Sequence, residues 1–535
     1  MTRPDTIRPR TKRFKLLAVA LGSAVLCGAL TGPAPAALAA YQSGLGYDPA
    51  TNFGSLYQIQ AITGAQAAFK AGWTGKGVDV ALIDTGVAPV PGLTSGNVVN
   101  GPDLSFDSQE PNLQHNDGMG HGTHMASIIV GRDQVQTSPA AYVDQTRFVG
   151  MAPDARLVNV KVGAADGGVD VTQVLAAINW VIEHRNRDGM NIRVLNLSYG
   201  TDSTQPYQQD LLTYAVERAW KAGIVVVVAG GNDGNSNDYL ANPAQEPLTL
   251  SVGAEDPMGS VSVKNDTVPA WASKGGTSSM SRHVDLVAPA VKVLGLRAPN
   301  SSIDYDNPTA RTGTRFIRGN GTSQAAAVVS GAAALYLQKY PQATPDQVKK
   351  GLMNQAVSFS GASQVYRGAG VVNVNYALGM PLPTSAAQNG WEPATGTGSL
   401  EASRGSVHVV DYPDDVTQTP VVLTGENDVF GKPFDSKAWA AATAAGTTWS
   451  DGSWLGTPLT GAGWTGSSWA GRTWTGRTWT AANWAGRTWT GRTWTGRTWT
   501  GGAWDGRTWT GRTWTGRTWT GRTWTGDTWS GVNWQ

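Results

Sequence analysis

Between about residues 57 and 379 the chain alternates two kinds of apolar pattern. Short runs at Val78-Asp79-Val80-Ala81-Leu82-Ile83, Leu157-Val158-Asn159-Val160-Lys161-Val162, Arg193 to Ser198 and Ile224 to Ala229 are rich in β-branched residues. Runs of that length and composition predict strands buried on both faces. Amphipathic stretches near Val171 to Glu183 and Gln209 to Ala222 predict helices between them. Such alternation predicts an α/β fold, a parallel sheet flanked by helices on both faces. Ala325 to Leu337 is apolar almost throughout and predicts a long buried helix opening at Ser323, with Pro341 at its exit.

Outside this region the pattern breaks. Arg3, Arg8, Arg10, Lys12, Arg13 and Lys15 precede an apolar run from Leu16 to Leu30 and the small residues Ala36-Ala37-Leu38-Ala39-Ala40. That order is a signal peptide over residues 1–40, cut after Ala39 or Ala40. Residues 41–56 form a short N-terminal segment. Residues 380–448 are rich in Pro, Gly, Ser and Ala, with strand-like pieces such as Val407-His408-Val409-Val410, and read as a linker or small accessory unit. From Trp449 to the end, residues 449–535, a five-residue Trp-Thr-Gly-Arg-Thr period dominates and holds 17 of the 23 Trp. Gly every fifth residue disfavours a helix, and an odd period sends successive Trp to opposite faces of a strand. A β-solenoid of short strands fits this low-complexity tail better than a flexible chain does, because disordered sequences are poor in aromatics.

Charge is unevenly spread. The formal net charge of +2 divides into +5 over residues 1–40, +6 over 449–535 and −9 between them. An acidic body argues against nucleic acid as the main partner, while a basic tail suits an anionic surface. The one cysteine, Cys27, lies in the signal, so the mature chain has neither disulfides nor a thiol nucleophile.

Three separated segments carry candidate chemistry: VALIDTGV around Asp84, GHGTH around His121, and GNGTSQAAAVVSG around Ser323. They supply a carboxylate, an imidazole and a hydroxyl, the parts of a base-activated nucleophile. Taken singly, each has a plainer explanation. Asp-Thr-Gly is a common turn, His121 and His124 sit at metal-pair spacing without a third ligand, and a Ser in a Gly-Thr-Ser turn often caps a helix. Asp233, Asn235 and Asn237 mimic a calcium loop, but Asp238 stands where that loop needs Gly. Asp166, Asp170 and Asp285 read as solvated, capping or structural.

The three segments together, in Asp, His, Ser order and joined by VVVVAGGNDG around Asn232, resemble the subtilisin-like (subtilase) serine proteases from about Gln58 to about Leu378. The resemblance implies a subtilisin-like sheet and a secreted endopeptidase in which Asp84 orients His121, His121 takes the Ser323 proton, and Asn232 donates to the oxyanion. It implies substrate binding along Ser198, Tyr199, Gly200 and along Ala229, Gly230, Gly231, with protein or peptide substrates and no cofactor for the chemistry. It also implies a segment from Val130 to Phe148 in place of a loop that binds calcium in some relatives, so a structural calcium is left open and no metal ligand is named. Two departures stand out: Gln324-Ala325-Ala326-Ala327-Val328 replaces the family's Met-Ala-x-Pro-His, and only about twenty residues separate the cleavage site from the first motif. They motivate an alternative, a catalytically retired scaffold that binds the cell surface or wall through its tail. In either reading the tail is expected to bind wall polysaccharide or an anionic polymer, and the mature chain to have no membrane span.

Overall fold

The structure, a computed structural model, describes residues 44–459 except 110–111, 235–238, 276–281, 388–389 and 412–420, together with the backbone of 483–484 and 503–504. The signal peptide expected over residues 1–40 and nearly all of the pentad tail lie outside the described residues.

Two short helices, α1 (Leu56–Ile62) and α2 (Ala65–Lys70), lead into the sheet. Its strands are β1 (Asp79–Asp84), β2 (Val98–Asp103), β3 (Arg156–Lys161), β4 (Ile192–Leu197), β5 (Val225–Ala229), β6 (Leu250–Glu255) and β7 (Leu286–Pro289). They pair in the order β2-β3-β1-β4-β5-β6-β7, all parallel. Every residue of β1, β5, β6 and β7 is buried, as strands covered on both faces require.

Helices α3 (His121–Val130), α4 (Val171–His184), α5 (Leu211–Lys221) and α6 (Thr322–Lys339) supply the cover. α3 and α6 pack together, with α6 against β4 to β7; α4 and α5 pack together against β1 and β5. Asp170 caps α4 in a capping box with Gln173, and Asp210 caps α5. An antiparallel ribbon, β8 (Val293–Leu296), β9 (Arg311–Thr312) and β10 (Phe316–Gly319), leads into α6. The pattern-based reading found the four central strands; β2, β6 and β7 escaped it because VVNGPD, LSVGAE and LVAP mix apolar residues with Gly, Pro and charge.

Two buried cations brace the sheet. Lys161 Nζ lies 2.8 Å from Asp107 Oδ2, with neither side chain exposed. Lys349, on α7 (Pro345–Asn354), has no exposed side-chain surface. Its ammonium donates to the carbonyls of Pro247 (2.8 Å), Leu248 (3.3 Å) and Thr249 (2.8 Å) and faces Asp285 Oδ1 at 3.1 Å. Burial pulls the Lys349 amine down to about 8. Burial alone would raise the Asp285 carboxyl; Arg282 and Lys349 outweigh it and hold it below the usual range.

After α8 (Val374–Leu378) the chain continues over the outer surface of α4 and α5. It forms α9 (Leu400–Arg404), a two-strand pairing of β11 (Val410–Asp411) with β12 (Val421–Val422), α10 (Ser436–Ala445), and three short strands at Trp449–Ser450, Ser453–Trp454 and Thr457–Pro458. The strand expected from Val407 begins only at Val410. This unit docks by its indoles. Trp439 Nε1 (3.0 Å) and Trp454 Nε1 (3.1 Å) both donate to Asn179 Oδ1 on α4, and Trp449 Nε1 donates to the Ala176 carbonyl at 2.9 Å. Trp439 and Trp454 are buried, so Trp454 of the pentad tail is core. Farther along, the backbone of Asn483–Trp484 pairs in parallel with Ala503–Trp504. Among the described residues no helix is long and apolar enough to cross a membrane.

Replacing Asn179 by Ala would leave two buried indole N–H groups without their acceptor. We expect a loss of about 2–5 kcal/mol in urea unfolding, at one to two unmet donors and their lost bonds. An unchanged midpoint would show that the docking does not depend on Asn179.

Candidate active site

Every candidate residue sits where parallel strands end, the usual place for a site in an open α/β sheet. Asp84 is the last residue of β1, and Ser198, Tyr199 and Gly200 follow β4. Ala229 ends β5, with Gly230, Gly231 and Asn232 after it. His121 is the first residue of α3 and Ser323 the second of α6.

Asp84 and His121 are joined directly. His121 Nδ1 lies 2.8 Å from Asp84 Oδ1 and 3.0 Å from Oδ2, and both side chains are at most 1% exposed. An imidazole whose Nδ1–H donates to a carboxylate keeps the lone pair of Nε2 free to accept a proton. The Thr85 N–H also donates to Asp84 Oδ1, at 2.8 Å.

The start of α3 is held by a residue that the motif reading passed over. The helix opens at Gly120, which has φ of 102° and no capping side chain. Asp117 does that work from three residues upstream: it accepts from the N–H of Gly120 (2.6 Å) and of Thr123 (2.7 Å), and from the Thr85 hydroxyl (2.8 Å). The Thr85 hydroxyl in turn accepts from the Gly122 N–H at 2.9 Å. Burial pushes the Asp117 carboxyl up, against the pull of these donors. An Asp just ahead of a helix start is a capping signal, and it was legible in HNDGMGHGTH. Gly122 has its own reason, since a Cβ there would stand 2.1 Å from the Gly86 carbonyl oxygen.

His124 lies wholly buried one turn further along, where desolvation, with His121 nearby, pulls it down to about 3. It is therefore a neutral packing residue. Its ring explains Gly295, where a Cβ would meet Nδ1 at 2.7 Å.

Ser323 is buried in the first turn of α6, its hydroxyl 3.5 Å from the Ser198 carbonyl and its own carbonyl 3.4 Å from the Ser198 hydroxyl. First-turn N–H groups have no intrahelical acceptor, and the helix dipole favours negative charge there. Asn232 Oδ1 accepts from the Thr322 N–H (2.9 Å) and hydroxyl (3.1 Å). A backbone donor must face oxygen, so this contact fixes the amide and turns Nδ2 away from Thr322. Gln324, the residue that departs from the family pattern, is fully buried with no hydrogen-bond partner for its amide among the described residues.

The two substrate segments differ. Gly230 donates to the Val252 carbonyl and accepts from Ala241, while Gly231 donates to the Thr322 hydroxyl and accepts from Ser273. Their main chain is thus committed inside the protein. A Cβ at Gly230 would meet Val284 and Val252, and one at Gly231 would meet Ser273 and Ala241, so packing inside the protein already requires both glycines. Beyond Gly200, Thr201 pairs with Asn242 in both directions. Among the described residues no group of three or more His, Cys, Asp or Glu is placed to hold a metal. Asp170 and Asp285 have the capping and ion-pair roles expected of them.

The family model described as the subtilase family matches residues 75–398, a span that includes Asp84, His121, Asn232 and Ser323. Serine protease AprX of Bacillus subtilis (strain 168) is 37% identical over 309 residues, covering 57% of this chain and 67% of that protein. Subtilisin BL of Lederbergia lenta is 34% identical over 313 residues, covering 58% of this chain and 95% of that protein. The crystal structure of fervidolysin from Fervidobacterium pennivorans, a keratinolytic enzyme related to subtilisin, superposes with a TM-score of 0.48 at 28% identity, over 63% of this chain and 48% of that one. With a matching span of this extent, the chain belongs to the subtilase family and is a subtilisin-type serine endopeptidase.

Proposed function

We propose that this protein is an exported endopeptidase working through Asp84, His121 and Ser323. The buried Asp84–His121 bond carries the reading, because it leaves one defined basic nitrogen beside the site. In the first half-reaction His121 Nε2 takes the Ser323 proton as Oγ bonds to the scissile carbonyl carbon. The carbonyl electron pair moves to oxygen, where Asn232 Nδ2 and the Ser323 N–H donate to it. The C–N bond then breaks, the amine leaves with the proton from His121, and an acyl-serine remains. Water attacks that ester, His121 accepts its proton, and Oγ departs as a hydroxyl once more. No step calls for a cofactor. Substrate backbone lies along Ser198 to Gly200 as an added strand. Residues 1–40 direct export.

Ser323→Ala and His121→Ala should each abolish peptide hydrolysis and labelling by a fluorophosphonate, with the wild type labelled. A folded wild type that takes no label would favour the retired scaffold. Asn232→Leu should lower kcat by about 10²–10³, the loss measured for this donor in a subtilisin, with KM held. Equal kcat in variant and wild type would remove Asn232 from the oxyanion site.

For the tail we propose binding to wall polysaccharide or an anionic polymer, Trp stacking on sugar faces and Arg pairing with acidic groups. Nine Arg and fifteen Trp beyond Leu459 support it. Purified cell wall should retain the full chain and release one truncated after Leu459; equal retention would exclude the tail as the binder.

A further inference from the structure

The family match ends at residue 398, yet the turn at 403–406 reaches the loops beside the site. Because β1 lies between β3 and β4, the loops leaving those two strands flank Asp84 on either side. The first loop begins with Val162 and Gly163 donating to the Asp84 carbonyl and ends at Asp170. The second runs from Ser198 to Asp210. Residues 403–406 hold both loops.

Arg404 is 1% exposed, and its Nε lies 3.0 Å from Asp170 Oδ1. Its Nη1 donates to the Gly425 carbonyl at 2.7 Å and its Nη2 to that of Asn427, so the guanidinium is fixed from behind by its own unit. Ser403 meets the other loop: its hydroxyl donates to Asp210 (2.8 Å) and its carbonyl accepts from the Thr201 hydroxyl (2.8 Å). Ser406 donates from its N–H to Asp202 Oδ1 at 2.7 Å, and its hydroxyl meets the other carboxylate oxygen. Gly405, with φ of 69°, lets this close approach occur, since a Cβ there would stand 1.9 Å from Asp202 Oδ1.

We propose that Arg404, with Ser403 and Ser406, is a positioning residue for extended peptide substrates. Its unit lies outside the matched catalytic span but ties the loop that follows Ser198 to Gly200, where substrate backbone is placed above, to the loop that ends at Asp170. The loop contacts are made away from His121 and Ser323, so bond-breaking itself does not depend on them. The proposal rests on the triad reading above, and fluorophosphonate labelling separates the two: an unlabelled wild type sinks that reading, whereas the positioning role is judged on labelled enzyme.

The test compares wild type with Arg404→Met and Ser406→Ala on a long peptide, on a single-residue ester and in labelling rate. For Arg404→Met we expect KM for the peptide to rise about tenfold, within the range that small misplacements of binding groups produce. Peptide kcat, ester hydrolysis and labelling should stay within about twofold. Ser406 is exposed, so Ser406→Ala should fold and show the same peptide-selective rise at about two- to threefold. If Arg404→Met does not fold, Ser406→Ala decides alone. Parallel losses on peptide and ester, or no change on either, would overturn the proposal.

Discussion

A charge with no exposed surface costs several kcal/mol unless donors meet it, and Asp84 is such a group. Its donors are the Thr85 N–H and His121, and supplying the second one determines where α3 starts. That start needs its own acceptor, Asp117, because the cap position is a glycine. Once α3 is placed, α6 packs along it, and the first turn of α6 brings Ser323 to Ser198 and Thr322 to Asn232. The requirement to solvate one carboxylate with protein thus runs through two helices into the candidate oxyanion site.

Legibility in the sequence followed unbroken apolar composition rather than burial alone, since β6 and β7 are fully buried and escaped it. Strands β1, β3, β4 and β5 are covered on both faces and read as apolar runs, so pattern alone found them. The outer strand β2 is half-exposed and contains Gly and Pro, and its six residues carry no period. Asp84, His121 and Ser323 were legible because each sits in a short motif whose glycines serve the local backbone. Asp117 was passed over although it stands just ahead of the α3 start in HNDGMGHGTH, because the glycines and His121 of that motif drew the reading. Gly230 and Gly231 were legible as glycines of a motif, but the Val284, Val252, Ser273 and Ala241 atoms that a Cβ would meet there lie on other segments.

The C-terminal unit was the least legible part for a similar reason. Residues 380–448 have the composition of a linker because their apolar partners lie on another element. Trp439, Trp454 and Arg404 find partners on α4, α5 and the loops before them. A short segment can be rich in Pro, Gly and Ser and still be anchored, provided that a few large side chains find waiting acceptors. Asn179 is one such acceptor, and it serves two indoles with one oxygen.

Lys349 places a positive charge among three backbone carbonyls and a carboxylate, a ligand set made of oxygen alone. Hard cations from solution occupy sites of that chemistry with a finite dissociation constant, and so leave when their concentration falls. Here the cation is part of helix α7 and has no concentration. Dilution cannot empty this cage, and a chelator has nothing there to remove.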